Sequence, residues 1–523
     1  MHTARVCLAV LTLLVMAQPA VAASCDVTTP NVDGIYSDGW GFNAHNHRLQ
    51  QQTEINAGNV SDLALAWTYA YANTKPRSMP LVTRDTIFVG DTNVGIVALD
   101  RNSGCVRWIS AHEGEIASAI LPLPSPRGLL LLFTDRTKGV YAIRADNGAP
   151  VWHTHLTDEA VPFYSGTPLI ADNGIFVPLS SLEIGLTLNP LYGCCTTSGG
   201  MAALDRETGE KLWYTPTIAE EPRITGRRLL FIEEYGPSGA PVWGAPMYDP
   251  ARNTVYFGSG QNYSHPTTAT SDAIIALDAS TGATKWIRQF TANDAYNISC
   301  GMPISPNCPE PMGPDLDFGA PPVLVRTKNG DDILIAGQKS GDVHAMNPDT
   351  GAVVWSRRLG RGGALGGIHW GIAANENTGV VFVPISDIAA MSGEGEAKPG
   401  MFALSAATGD VIWEYLRKPT CEGRHCSPGF SAAITATPDL VFAGALDGVI
   451  EAVAAADGRV LWSYDTKPGT PTVNGVPASG GAIDAHGPMV AGNQLIVSSG
   501  YGSFGEMPGN ALMVFSLKTE ATR

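Results

Sequence analysis

Four side chains in the middle of the sequence, Glu183, Asn262, Asp315 and Asp317, are of the types that hold a hard cation or move a proton. Carboxylates and an amide carbonyl suit Ca2+, whereas zinc calls for imidazole or thiolate. Asp315 and Asp317 stand two apart in Pro314-Asp315-Leu316-Asp317-Phe318-Gly319, so in an extended chain both project to one side. One can then act as base and ligand and the other as second ligand. Spacing alone does not commit them, because an isolated Glu or Asn in a loop is usually a solvated or turn-forming residue. The adjacent pair Cys194-Cys195 is less ordinary. Neighbouring cysteines join only through a strained eight-membered ring, so such a bond persists where something demands it.

These residues lie far apart along the chain, and a repeat must bring them together. An alternating apolar strand, a short turn with Gly, and a second strand carrying Trp recur seven times, ending at Trp108, Trp152, Trp213, Trp286, Trp355, Trp413 and Trp462. Each unit reads as a hairpin whose Gly supplies positive φ and whose Trp packs between neighbouring sheets. An eighth unit is split. Leu63–Trp67 has the Trp half, and Ala511–Phe515 has the half without Trp. Joining the two closes a ring and hides the sheet edges, which predicts an all-β, eight-bladed β-propeller over residues 24–523. Small-residue segments precede the hairpins, for example Ser165-Gly166-Thr167-Pro168, Trp243-Gly244-Ala245-Pro246 and Phe318-Gly319-Ala320-Pro321. Looser versions stand at Ile368-His369-Trp370, Phe430-Ser431-Ala432 and Ala478-Ser479-Gly480. Small residues are expected where the innermost strands crowd the axis, so Arg77, Thr167, Trp243 and Trp370, in such slots, face the central funnel. The Trp spacing widens between Trp152 and Trp413. Insertions in a repeat array collect in loops on one face, often the binding face.

The 523-residue chain carries 33 Lys+Arg against 49 Asp+Glu, a formal charge of −16, which argues against nucleic-acid binding. With 58 Gly and 37 Pro it is turn-rich, and 44% hydrophobic residues give it a large core. Arg5, the apolar run of residues 6–16 and Ala20-Val21-Ala22-Ala23 have the layout of a cleavable secretory signal over residues 1–23. A lipid anchor at Cys25 is the rival reading. No later run reaches the ~18 apolar residues of a membrane span. Eight cysteines follow the signal, in keeping with an oxidising compartment. Their spacing fits three local bridges and leaves Cys25 and Cys105 to pair, although sequence cannot fix the connectivity. No CxxCH run is present to attach haem.

Taken together, the blade repeat and these segments resemble the quinoprotein alcohol dehydrogenases, eight-bladed propellers that hold pyrroloquinoline quinone and a metal on the axis. The resemblance covers nearly all of the chain after the signal. It implies that Glu183, Asn262, Asp315 and, as in lanthanide-using members, Asp317 bind Ca2+ or a lanthanide. It implies that Trp243 stacks on the quinone, that Lys339 contacts the quinone oxygens, and that Asp315 is the catalytic base. Arg77, Thr167 and Trp370 are further cofactor contacts on this reading. A Cys194–Cys195 disulfide would cover the quinone face opposite the Trp. Its place after Glu183, together with Gly39-Trp40-Gly41-Phe42-Asn43 and Asn46-His47-Arg48, looks more like the polyvinyl alcohol dehydrogenase branch.

The implied activity is periplasmic oxidation of an alcohol, a secondary alcohol or hydroxylated polymer among them, by hydride transfer to the quinone. Electrons would pass to a separate cytochrome c. The competing readings are a non-catalytic propeller scaffold of the outer-membrane assembly type, and a degenerate quinoprotein that binds sugar or polymer without turnover. Fold does not separate them, and the site must.

Overall fold

The computed structural model describes residues 24–157, 161–228, 231–303, 305–388, 395–423 and 425–518; the signal segment expected at residues 1–23 lies outside them. Antiparallel sheets follow one another along the chain as blades. Blades 1 to 7 span residues 81–111, 121–154, 162–216, 247–289, 323–358, 373–416 and 435–465. Blade 8 combines Met489–Ala491, Gln494–Ser499 and Ala511–Leu517 with Leu63–Ala70 from the other end of the chain. Its register runs from Leu63 opposite Leu517 to Ala70 opposite Ala511. The eight blades and the split closure are those the Trp repeat predicts.

The repeat works by a contact between blades. A Cβ added at Gly104 would meet the Trp67 ring at 2.8 Å, one at Gly209 the Trp152 ring at 2.5 Å, and one at Gly282 the Trp213 ring at 2.7 Å. The same pairing joins Gly148 to Trp108, Gly351 to Trp286, Gly409 to Trp355 and Gly458 to Trp413. These glycines have φ between 67° and 76°. They therefore serve twice, taking the left-handed turn conformation and leaving a flat seat for the indole of the preceding blade. Several indoles also donate to a carbonyl of the next blade, as Trp286 Nε1 does to Pro348 O at 3.0 Å and Trp355 Nε1 to Ala406 O at 3.0 Å.

One end of the axis is closed by the N-terminal strap. Arg48 is 1% exposed, and its guanidinium donates to Trp40 O, Ile434 O and His486 O at 2.7 Å each. Asn46 Nδ2 donates to Pro246 O and Pro322 O at 3.1 and 3.2 Å. The strap thereby gathers carbonyls from blades 4, 5, 7 and 8. Backbone amides of the ring return the contact, with Tyr248 donating to Ala44 O, Leu324 to His45 O, Ala374 to His47 O and Ala436 to Arg48 O.

The small-residue slots hold in blades 1 to 7, each just before an innermost strand. In blade 8 the register differs from expectation. Ala485, rather than Ala478-Ser479-Gly480, reaches the axial cavity. The innermost strand there is Met489–Ala491, so the slot must lie beside His486-Gly487-Pro488.

All four disulfides close, as Cys194–Cys195, Cys300–Cys308, Cys421–Cys426 and Cys25–Cys105. The last ties the strap to blade 1 and settles the pairing left open by sequence. Among the described residues no helix is long and apolar enough to cross a membrane.

Candidate active site

Blades 1 to 6, blade 8 and the strap converge on a cavity at the axis lined by Trp40, Arg77, Thr167, Trp243, Gly319 and Trp370, among others. The funnel residues expected from four separate repeats thus share one wall. Trp243 lies over Gly319, where an added Cβ would stand 1.7 Å from its ring, so only glycine admits the indole. Trp370 crosses Trp243 edge-on at a centroid distance of 5.3 Å, and the Arg77 guanidinium lies 5.3 Å from the Trp370 ring. Thr167 Oγ1 accepts from the Ala119 amide at 3.0 Å.

At the edge of Trp243 sit the two aspartates. Lys339 Nζ donates to Asp315 Oδ1 at 3.1 Å and to Asp317 Oδ2 at 2.9 Å, and it stands 5.5 Å from the Trp243 centroid. Asp317 is fully engaged. It accepts the Trp243 indole N–H at 2.9 Å and the Gln261 amide at 3.0 Å as well, and Gly260 makes room for its carboxylate. Asp315 Oδ2 has no protein hydrogen-bond partner among the described residues. Burial pushes Asp315 well above the ordinary carboxylate range, against the pull of the Lys339 ammonium. Burial disfavours the charge of Lys339, but Asp315 and Asp317 together hold it above the usual lysine range. His369, 5.5 Å from the Trp243 centroid, is pushed well down by burial and by the Lys339 and Arg77 charges, and stays neutral.

Glu183 opens a single helical turn, Glu183–Leu186, and is completely buried. Its oxygens accept from Tyr192 Oη (2.8 Å), the Thr196 amide (2.8 Å), the Thr197 amide (2.8 Å) and Thr197 Oγ1 (2.6 Å). Asn262 is likewise filled. Its Oδ1 accepts from the Thr268 amide at 2.9 Å, and its Nδ2 donates to Ser238 O at 2.9 Å. Cys194 and Cys195 pack with Tyr263, Ile184 and Tyr192, in a hydrophobic cluster separate from the one that Trp243 joins. They sit two residues before the amides that hold Glu183.

The donor chemistry fits the two implied groups unequally. Around Trp243 the cavity wall contains a buried indole N–H without a partner, Trp40 Nε1, and a second, Trp370 Nε1, whose one polar neighbour is the Asp484 carboxylate. Its guanidinium, that of Arg77, makes only long contacts of 3.4 and 3.5 Å. A flat aromatic seat beside unspent donors and two cations fits a planar polycarboxylate such as the quinone. A metal fits less well. Of the four expected ligands, Glu183, Asn262 and Asp317 already spend their oxygens on protein donors. Among the described residues no three of His, Cys, Asp or Glu are grouped to hold an ion.

The family model described as outer membrane protein assembly factor BamB matches residues 54–264, 231–398 and 315–516. A polyvinylalcohol dehydrogenase of Sphingopyxis sp. (strain 113P3) is 35% identical over 501 residues, covering 92% of this chain and 76% of the relative. One from Pseudomonas sp. is 34% identical over 509 residues, covering 94% and 78%. The chain belongs to the polyvinyl alcohol dehydrogenase family. The crystal structure of quinohemoprotein alcohol dehydrogenase from Comamonas testosteroni superposes with a TM-score of 0.67 at 17% identity, over 93% of this chain and 81% of that one. The protein is thus an alcohol-oxidising enzyme of the quinone-dependent type, and the scaffold reading falls. Within this polyvinyl alcohol dehydrogenase fold, sequence reasoning assigned no site role to Trp40, His369 or Asp294. Trp40, within the strap motif, and His369, within a small-residue slot, carried a signal; Asp294 carried none.

Proposed function

We propose that the protein oxidises a secondary alcohol or a hydroxylated polymer such as polyvinyl alcohol in the axial cavity, with Asp315 as the base. The observation that supports this most is a buried carboxylate with one unspent oxygen, held beside a lysine and a tryptophan platform. Pyrroloquinoline quinone, when bound, supplies the two-electron acceptor for the hydride of the alcohol carbon. Trp243, seated on Gly319, offers the aromatic face, and Arg77, Lys339 and the Trp40 and Trp370 indoles offer donors for the carboxylates. Asp315 Oδ2 takes the hydroxyl proton of the alcohol. Lys339 keeps Asp315 oriented, and its charge favours the ionised carboxylate against the effect of burial. Trp370, packed edge-on, walls the cavity from bulk water.

Calcium or a lanthanide enters this reading only if the Thr196 and Thr197 donors release Glu183, and no step here depends on one. Electrons leave to a separate cytochrome c, and the acidic chain suits a basic partner. The signal-like leader and the four disulfides favour the periplasm as the place of action. The test is reconstitution of purified protein with the quinone, with and without Ca2+ or La3+, and dye reduction over a panel of primary, secondary and polymeric alcohols. Quinone binding and turnover are expected; no quinone binding under any metal condition overturns the proposal.

A further inference from the structure

Asp315 has φ +60°, a left-handed conformation that costs a residue with a Cβ about 1 kcal/mol or more and persists only where neighbours over-determine it. What holds it is a second carboxylate, at the start of the stretch Asn293–Pro314 that ends just before Asp315. Asp294, completely buried, accepts the Asp315 amide on Oδ1 at 3.1 Å and the Leu316 amide on Oδ2 at 2.9 Å. Two successive N–H groups converging on one carboxylate fix the turn from beneath. The same residue reaches the neighbouring strand, since Asp294 O accepts the Asn262 amide at 3.0 Å and the Tyr296 amide donates to Asn262 O at 2.8 Å. Gly313 completes the seat. Its amide donates to Ala295 O at 2.7 Å, and a Cβ on it would stand 2.1 Å from Asp294 Oδ1. The Cys300–Cys308 bridge shortens the excursion between the two ends.

We infer that Asp294 is the positioning residue of the reaction, clamping the Asp315 turn so that its carboxylate meets Lys339 beside Trp243. This rests on Asp315 being the base, as proposed above. Asp294 touches no reacting atom. Misplacing a base by ~1 Å costs on the order of a hundredfold in rate, and the loss should fall on the chemical step while the platform that binds the quinone is untouched.

The test uses the full-length, quinone-loaded protein and, separately, the quinone-free protein. Asp294→Ala is expected to lower kcat about a hundredfold with KM for the alcohol and quinone affinity within about threefold of wild type. Asp294→Asn keeps one acceptor oxygen and should recover about half of that loss on a logarithmic scale. Gly313→Ala pushes on the same carboxylate from outside and should lower kcat in the same manner. Without quinone, amide hydrogen exchange in peptides covering residues 313–318 should quicken in Asp294→Ala and Gly313→Ala, with exchange in the blades unchanged. An active wild type beside variants that keep kcat within threefold, or whose exchange at residues 313–318 is unaltered, overturns this inference alone. So does a kcat loss that Asp294→Asn does not relieve. An inactive quinone-loaded wild type overturns the proposed function and takes this inference with it. Should Asp294→Ala fail to fold, Asp294→Asn and Gly313→Ala decide on the same criteria.

Discussion

Glu183 and Asp315 are both buried carboxylates that the family resemblance assigns to one ion, yet the protein treats them in opposite ways. Around Glu183 every oxygen is spent on the loop that follows it, through two amides, a threonine hydroxyl and a tyrosine. Around Asp315 the protein offers a single side-chain donor, the Lys339 ammonium, and leaves the second oxygen without a protein partner among the described residues. A carboxylate saturated by its own fold is a fastener, since moving it strands several buried donors at once. One held by its backbone and under-supplied at its oxygens is available for chemistry. The difference teaches that burial and charge do not by themselves mark a carboxylate for chemistry; unspent hydrogen-bonding capacity beside an aromatic platform and a cation narrows the choice.

The largest test of this contrast is Asp315→Asn. Loss of the base should lower kcat by about a thousandfold, the scale of positioned general-base catalysis, while thermal unfolding shows the ring intact. Turnover within tenfold of wild type would remove Asp315 from its role. Glu183→Gln probes the other half. It leaves buried donors facing an amide group and should cost on the order of 2–4 kcal/mol in denaturant unfolding, with chymotryptic cleavage appearing in residues 187–197, which hold Leu188, Leu191 and Tyr192. If stability holds instead and bound Ca2+ or La3+ is lost, measured by elemental analysis, Glu183 is a ligand and the contrast breaks.

Lys339→Met sharpens the comparison through pH. The base must be ionised, so kcat rises with pH through the Asp315 titration, and burial already places that rise above the ordinary carboxylate range. Removing the ammonium that favours the ionised form should move the ascending limb further to the alkaline side; a limb that stays in place or moves to acid would show that Lys339 does not act on Asp315. The smallest effect is expected at Asp484, a third buried carboxylate with one oxygen unpartnered, pushed by burial up to about 7. With its folded value above the unfolded one, the native state binds the extra proton, so its contribution to stability is present at low pH and lost as pH rises through about 4 to 7. Asp484→Asn should therefore raise Tm relative to wild type at pH 8 and leave the difference near zero at pH 4.

Much of the ring was legible in the sequence because the Trp of one hairpin and the Gly of the next are partners in one contact repeated between blades, and a repeated contact leaves a repeated signature. Blade 8 was harder to read at its inner strand because Ala478-Ser479-Gly480 imitates the small-residue pattern a few residues ahead of the true slot, Asp484-Ala485. Among site residues, Trp243 stood outside the Trp repeat and Asp315 with Asp317 formed a compact pair, so their types were visible. Asp294 was not. Its partner lies beyond a long insertion, and nothing in Asn293-Asp294-Ala295 distinguishes it from a solvated turn until the chain is folded back. Nor could the saturation of Glu183 be foreseen, because its donors are mostly backbone amides, which every sequence supplies.

The pairing of Leu63–Ala70 with Ala511–Leu517 has a bearing on how the molecule comes into being. The strand that completes the last sheet is made almost first, and it must wait for nearly the whole polypeptide before its mate exists. Until then the growing chain is an open arc with a raw edge at each end, both able to pair with a stranger. Final closure is therefore an event of the finished chain, and a fragment missing either terminal strand is left as an arc prone to cling to its own kind.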